Sequence, residues 1–341
     1  MPLEALRYDV TPLGLHYLLI HFDIPLVDPA TYELTIRAEG TKRLRLSDIR
    51  SRPARTIAVT LECAGNGRAR ISPRPMSQPW LTEAVGTAEW TGTPLGDVLR
   101  ESVLDGDEVV FTGMDRGVQG GIDQYYERSL SWEDATHPDV LLAYAMNGRP
   151  LLPQHGFPVR LIVPGWYGMA HVKWLRSITV VNREFIGYQQ ARAYHYRVTE
   201  DDPGEPVTRI LPRALMVPPG VPDFMSRTRF VEPSRLVIEG RAWSGRAKIA
   251  QVEVSADGGA TWAPASLDDP PSPYAWARWT FDWDATRPGE YELCARAMDV
   301  AGNLQPSGQS WNYEGVMNNA VQRVRVVVGT ELPVQAPADS F

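Results

Sequence analysis

Hydrophobic positions follow two different rhythms along the chain. In the first part they come in short continuous runs separated by turn residues. Ile57 to Leu61 is a β-branched run of the kind that forms a strand covered on both faces, and the turn Ala64-Gly65-Asn66-Gly67 follows it closely. Val159 to Val163 is a second such run, closed by Pro164-Gly165, and Ile178 to Val181 a third. Between them, Leu95 to Leu99 and Trp132 to Ala135 predict short helices. Strands and helices mixed in this way predict an α+β domain.

From Thr199 the run TEDDPGEPVTRILPRALMVPPGVPDF is rich in proline and charge and lacks a sustained period, which predicts a linker draped over a surface. Beyond it the rhythm alternates. In Glu290 to Ala297, Tyr291, Leu293, Ala295 and Ala297 fall on one face, and Glu292, Cys294 and Arg296 on the other. Asp257-Gly258-Gly259 predicts a tight hairpin, because those residues tolerate positive φ, and Gln322 to Val328 a final strand. Strands at this spacing predict an antiparallel β-sandwich of roughly 120 residues. The expected organisation is therefore a mixed domain over residues 1–205 and a sandwich over 206–341.

Composition narrows the function. At 341 residues the chain has room for two cores, and 43% hydrophobic with 22% charged residues is an ordinary globular balance. A net charge of -7 argues against nucleic acid or anionic lipid as a partner, so any anion site must be built locally. The N-terminus has no basic region followed by an apolar run and a small-residue cleavage site. The stretch Leu15 to Ile20, interrupted by His16, is far too short to span a bilayer. A cytoplasmic protein with no membrane segment is expected, or a periplasmic one if a signal has been removed. Cys63 and Cys294 are the two cysteines, too few for a disulfide framework or a four-thiolate metal centre.

Cys63 lies where a buried strand gives way to a glycine-rich turn, a place from which a side chain can enter a cleft. A thiolate there suits a transition metal held mainly by a sulfur-rich cofactor, whereas an isolated cysteine is more often a small buried hydrophobe. The neighbouring sequence decides between these. Leu61-Glu62-Cys63-Ala64-Gly65-Asn66-Gly67-Arg68 resembles the cysteine motif of the sulfite oxidase family of molybdenum enzymes. Leu141 to Gly148, His155-Gly156-Phe157-Pro158-Val159-Arg160, Val163-Pro164-Gly165 and His171-Val172-Lys173-Trp174-Leu175 resemble the same family, in the same order. Ala242-Trp243-Ser244-Gly245 and Val252 to Trp262 resemble its immunoglobulin-like dimerisation domain.

The resemblance implies molybdenum and molybdopterin as cofactors, Cys63 as metal ligand, and a homodimer. It implies that His21, Arg68, His155, Arg160 and Lys173 hold the cofactor. Arginine and lysine are suited to this because a net-acidic protein must neutralise the cofactor phosphate with a local cluster. It further implies that Tyr194, Arg68 and Trp80 face the substrate, with Tyr196 two residues from the tyrosine position. His16 replaces an aromatic and reads as structural. Two family arginines are missing: Leu19 and Glu314 stand in their places, with Arg74 and Arg192 as candidate replacements. The expected activity is oxygen-atom transfer to sulfite, giving sulfate and passing electrons to an external carrier, since no Cys-x-x-Cys-His haem motif is present. Reduction of a neutral S-oxide or N-oxide is the alternative that Leu19 and Glu314 suggest, and a cofactor-free binding protein is the reading from another class. A dinucleotide fold is excluded, because Arg70 interrupts the Gly-x-Gly-x-x-Gly pattern.

Overall fold

The computed structural model describes residues 1–102 and 105–330. Strands dominate, arranged in two five-stranded sheets in the first part of the chain, a two-stranded ribbon of His195–Tyr196 and Glu205–Pro206, and a two-sheet sandwich in the second part. One five-stranded sheet has the order Thr41–Arg45, Glu33–Arg37, Leu175–Val181, Glu108–Gln119 and Ile122–Ser131. Its pairs are antiparallel apart from Glu33–Arg37 on Leu175–Val181, which is parallel. The other joins Arg55–Glu62, Val85–Pro94, Leu141–Met146 and Arg149–Pro150, with Arg160–Ile162 pairing to Leu141–Met146. The continuous run at Ile57 to Leu61 forms a strand as expected, with Ala58 to Leu61 buried. Its Thr60 hydroxyl bonds that of Thr87 on the neighbouring strand at 2.5 Å, so the one polar side chain of the run is satisfied.

The two expected helices form at Leu95–Arg100 and Trp132–Ala135; Leu46–Arg50 and Tyr188–Ala191 are further helices that the pattern does not reveal, and all four are short. A helix of this length is marginal alone and persists by burial. Leu95, Val98 and Leu99 enter the core that also contains Phe111, Leu142 and Ile178. Among the described residues no helix is long and apolar enough to cross a membrane.

The sandwich packs a four-stranded sheet containing Arg213–Met216, Ser234–Trp243 and Ala277–Ala285 with a six-stranded sheet containing Ile249–Ser255, Gly289–Asp299 and Gln322–Val328. Cys294 is fully buried, as an isolated cysteine is expected to be, with the Arg323 side chain of the next strand at 3.8 Å from its sulfur. Two expectations need correction. The tight hairpin at Asp257 is a longer loop: the strands close at Val254 and Ala263, and the Asp257 carboxylate accepts hydrogen bonds from Thr261 and Ser255 across it. The segment after Thr199 is not a surface linker. Val207, Ile210, Leu215 and Val217 are buried in a core shared by both halves, with Leu6, Val85, Tyr167 and Trp243. Proline hides the period of this segment, but its apolar side chains still find cover.

Candidate functional site

Cys63 follows directly on the strand Arg55–Glu62. Its amide donates to Ala84 O at 2.9 Å and its carbonyl accepts from Asn66 at 2.9 Å, which closes the turn. Gly67 adopts φ 92, open to glycine and costly to other residues. Behind the turn lies the fully buried Glu62 carboxylate. It ion-pairs with buried Arg213 at 2.8 Å and accepts from Trp243 Nε1 at 2.8 Å and Asn66 Nδ2 at 2.9 Å. Arg213 and Trp243 belong to the sandwich, as do Met317, whose amide donates to Ala64 O at 2.8 Å, and Asn318, whose Nδ2 donates to Gly67 O at 2.7 Å. The second half of the chain therefore holds the cysteine turn in place. A buried ion pair of this kind is costly to break singly, by about 3–5 kcal/mol, because the remaining charge is left unpaired.

Two cavities meet at Cys63. The inner one is lined by Tyr17 and His21 on one side and by Asp115, His155, Arg160 and Lys173 on the other. Arg160 is buried, with Nη1 donating to His155 O at 3.0 Å and Nη2 to His171 O at 3.2 Å, while its planar face covers Trp90 at 4.7 Å. Its Nε has no partner, and among the described residues no carboxylate pairs with it. Burial pulls its pKa down to about 10, which leaves it charged at neutral pH. Lys173 donates to Leu19 O at 2.7 Å and lies over Trp174 at 4.4 Å; burial, reinforced by Arg160, draws it down to about 7. Burial holds the imidazoles of His155 and His171 at a pKa of about 3, so both are neutral. His171 accepts from Val163 N–H and its Nε2 donates to Trp166 O, each at 3.1 Å, which fixes its tautomer and presents its carbonyl to Arg160. Asp115 is buried with one carboxylate oxygen unpartnered, and burial pushes it up to about 6.

The outer cavity has a volume of about 530 Å³ and is lined by Arg68, Trp80, Tyr194, Arg197 and Glu314 among others. Arg68 is buried, donating from Nε to Glu314 O at 2.8 Å and from Nη1 to Gln78 O at 3.1 Å. A Cβ on Gly65 would strike its guanidinium, and one on Gly315 would lie 2.7 Å from its Cγ, so two glycines leave room for this side chain. Tyr194 borders both cavities with φ 59, and its amide donates to Glu314 Oε2 at 2.8 Å. Burial pushes its phenol up to about 12, so it remains a hydrogen-bond donor. The Glu314 carboxylate also pairs with Arg197 at 2.8 Å. Trp80 Nε1 has no oxygen or nitrogen partner and interacts with the Cys63 thiol, favouring its ionised form. Burial raises the Cys63 thiol, against the opposing influence of the Gly65 amide and the Arg68 guanidinium.

The structure thus brings Cys63, Arg68, Trp80 and Tyr194 to one cavity and His21, His155, Arg160 and Lys173 to the adjoining one. Tyr196 sits in the short strand His195–Tyr196, outside both linings. Arg192 lines the outer cavity, whereas Arg74 is exposed and away from it. His16 lines the inner cavity, edge-on to His155 at 5.7 Å. Asp115, Tyr126 and Arg197 carry no local sequence signal and emerge only from the packing. Among the described residues no group of three or more His, Cys, Asp or Glu could hold a metal ion. The inner cavity fits molybdopterin: the free Nε of Arg160 and the Lys173 amine, both otherwise bonded only to backbone carbonyls, for a phosphate, and an open Asp115 carboxylate oxygen for ring N–H donors.

Residues 21–189 match the family model for the oxidoreductase molybdopterin binding domain, and residues 219–329 that for the Mo-co oxidoreductase dimerisation domain. The chain is 35% identical to sulfite oxidase of Gallus gallus, over 92% of its own length and 72% of that protein. It is 34% identical to mitochondrial sulfite oxidase of Mus musculus over 94% of its length, and spans 62% of that longer protein. The crystal structure of the sulfane dehydrogenase SoxCD from Paracoccus pantotrophus superposes with a TM-score of 0.80 at 26% identity, covering 95% of this chain and 82% of that one.

Proposed function

The chain belongs to the sulfite oxidase family, and on that footing we propose that it is a molybdenum–molybdopterin oxidoreductase that oxidises sulfite to sulfate. The net reaction is SO3²⁻ + H2O → SO4²⁻ + 2 H⁺ + 2 e⁻, with the electrons passed to an external carrier. When bound, the cofactor supplies oxygen-atom transfer and the uptake of two electrons. Residues 1–205 form the α+β cofactor-binding domain and residues 206–330 the immunoglobulin-like domain, through which two copies pair; residues 331–341 of the expected second domain lie outside the described residues.

Within this reading Cys63 ligates the metal. Arg160 and Lys173 neutralise the phosphate, with His21 and His155 as neutral contacts along the pterin. Arg68 fixes a substrate oxygen. The Tyr194 phenol, protonated at neutral pH, donates a hydrogen bond to another. Trp80 bounds the pocket. The observation that carries the proposal is Arg160: a buried, charged guanidinium with no carboxylate among the described residues, in the cavity that opens onto a buried cysteine. Desolvating such a cation is costly unless an anion joins it.

The test is elemental analysis of purified protein with a sulfite-dependent dye-reduction assay on the same sample. Near-stoichiometric molybdenum with turnover is expected. Molybdenum without sulfite turnover would overturn the substrate and favour a neutral S-oxide or N-oxide. No molybdenum, after expression in a host that makes the cofactor, would overturn the whole reading.

A further inference from the structure

Behind Tyr194 lies another buried guanidinium. Arg128 is 2% exposed and lines neither cavity, whereas Tyr194 lines both. It belongs to the strand Ile122–Ser131, whose alternation puts Tyr126 and Arg128 on one face. Its Nη1 donates to Gln189 O, its Nε has no partner, and no carboxylate pairs with it among the described residues. The guanidinium carbon stands 5.8 Å from the centroid of the Tyr194 ring, within reach of a cation–π contact. A buried cation left without a carboxylate is costly, so its place against this one ring needs a reason.

The same strand face supports both cavities. Tyr126 lies 4.9 Å from the His21 ring, and its hydroxyl donates to Met169 O at 2.7 Å. Gln189, itself buried, donates from Nε2 to Gln119 Oε1 at 2.7 Å, and that oxygen also accepts from His21 Nε2 at 2.8 Å. The short helix Tyr188–Ala191, which leads to Tyr194, is held at Gln189 O by Arg128 and at the Gln190 side chain by the Ser129 amide. Tyr194 then takes φ 59, a conformation that a tyrosine adopts only when its surroundings impose it. Glu314 Oε2 holds its amide from the cavity side, and Arg128 meets its ring from behind.

Burial and the Cys63 thiol keep the proton on the Tyr194 phenol, and Arg128 opposes them more strongly than Arg68 does. A cation against the ring draws electron density from the hydroxyl and makes its O–H a stronger donor to an anion. We infer that Arg128 is a positioning residue of the oxidation site: it seats the Tyr194 ring and strengthens the Tyr194 hydroxyl as a hydrogen-bond donor to the substrate oxyanion. The inference rests on the proposed function, which sets a substrate oxygen on that hydroxyl. Arg128 itself touches no substrate atom and exchanges no proton.

The test is a double-mutant cycle on the molybdenum-loaded full chain. Arg128→Met and Arg128→Gln remove the charge, the second keeping a donor for Gln189 O, and Arg128→Lys keeps the charge. Each is made alone and with Tyr194→Phe. Each protein is read by sulfite-dependent dye reduction and by calorimetric titration with sulfate, which needs no turnover. Either neutral variant should lower kcat/KM for sulfite about tenfold and weaken sulfate binding by a similar factor, the size of a desolvated cation–π contact. Arg128→Lys should stay within about threefold of the parent in both. With Tyr194→Phe already in place, the neutral variants should change neither quantity by more than about twofold, because the hydroxyl through which Arg128 acts is gone. Equal losses with and without the hydroxyl, parent-like neutral variants, or a lysine variant as impaired as the neutral ones overturn the inference and leave the proposed function standing. A parent that binds sulfate without oxidising sulfite overturns the proposed function, and the sulfate cycle then decides the inference. A parent that does neither overturns both.

Discussion

The two cavities that meet at Cys63 treat positive charge in opposite ways. In the inner one, buried Arg160 and half-buried Lys173 lie against carbonyl oxygens and aromatic faces and form no ion pair among the described residues. In the outer one, Arg197 is cancelled by Glu314 at 2.8 Å. An unpaired buried cation is a stability cost that only a resident anion relieves, whereas a paired cation is already satisfied and sets how much charge an incoming molecule meets. On the proposed function, the inner cavity holds the resident cofactor and the outer one the substrate. A third pair, Arg213 with Glu62, serves neither: it lies behind the cysteine turn and ties it to the sandwich.

Substitutions can break these distinctions, and the largest effect falls on the shared wall. Cys63→Ser should abolish sulfite-dependent dye reduction while leaving the melting temperature of cofactor-free protein within about 3 °C of the parent. Arg213→Met leaves the Glu62 carboxylate buried and unpaired, and should lower unfolding free energy by about 3–5 kcal/mol in denaturant titrations. Arg160→Met should do the reverse in cofactor-free protein, raising stability by about 1–3 kcal/mol as an unpaired buried charge disappears, while reducing cofactor retention by about 10–100-fold. A loss of stability in that variant would place the Arg160 charge with an unseen protein partner instead.

Smaller effects sharpen the contrast. Glu314→Gln frees Arg197 and weakens the support of Tyr194, so kcat should fall by about tenfold while sulfate binds severalfold tighter, a split that general misfolding would not give. His171 provides a pH test in cofactor-free protein. Its folded pKa of about 3 lies below the unfolded value of about 6.5, so the unfolded chain binds the extra proton between them. Its contribution to stability is complete above pH 6.5 and falls on acidification by about 1.4 kcal/mol per pH unit. His171→Gln, which retains a donor and an acceptor, should lessen the dependence of the melting temperature on pH across that window, with His16 and His155 carrying the remainder.

Much of the fold is legible from pattern. The continuous run at Ile57 to Leu61 and the alternation of Leu293, Ala295 and Ala297 each specify a strand and its burial, because period and apolarity act locally. Burial that depends on distant cover is not legible. Val207 and Leu215 lie among prolines that erase any period, yet both are buried in the core shared by the two halves.

The candidate site divides in the same way. Cys63, Arg68, Arg160 and Lys173 sit in contiguous motifs and can be named from sequence. Asp115 and Arg197 reach their cavities only through tertiary packing and stand in no motif. Glu314 shows the difference most plainly. In sequence it reads as a carboxylate misplaced beside an anion. In the fold its charge is met by Arg197, its second oxygen by the Tyr194 amide, and its carbonyl by Arg68.

The central claim is that the Cys63 thiolate is the protein's ligand to molybdenum at the junction of the two cavities. X-ray absorption at the molybdenum edge, on loaded wild-type protein and on Cys63→Ser, tests it most directly. The account predicts one sulfur ligand fewer in the variant, with the remaining shell retained. An unchanged sulfur shell would contradict the assignment and separate the metal from Cys63.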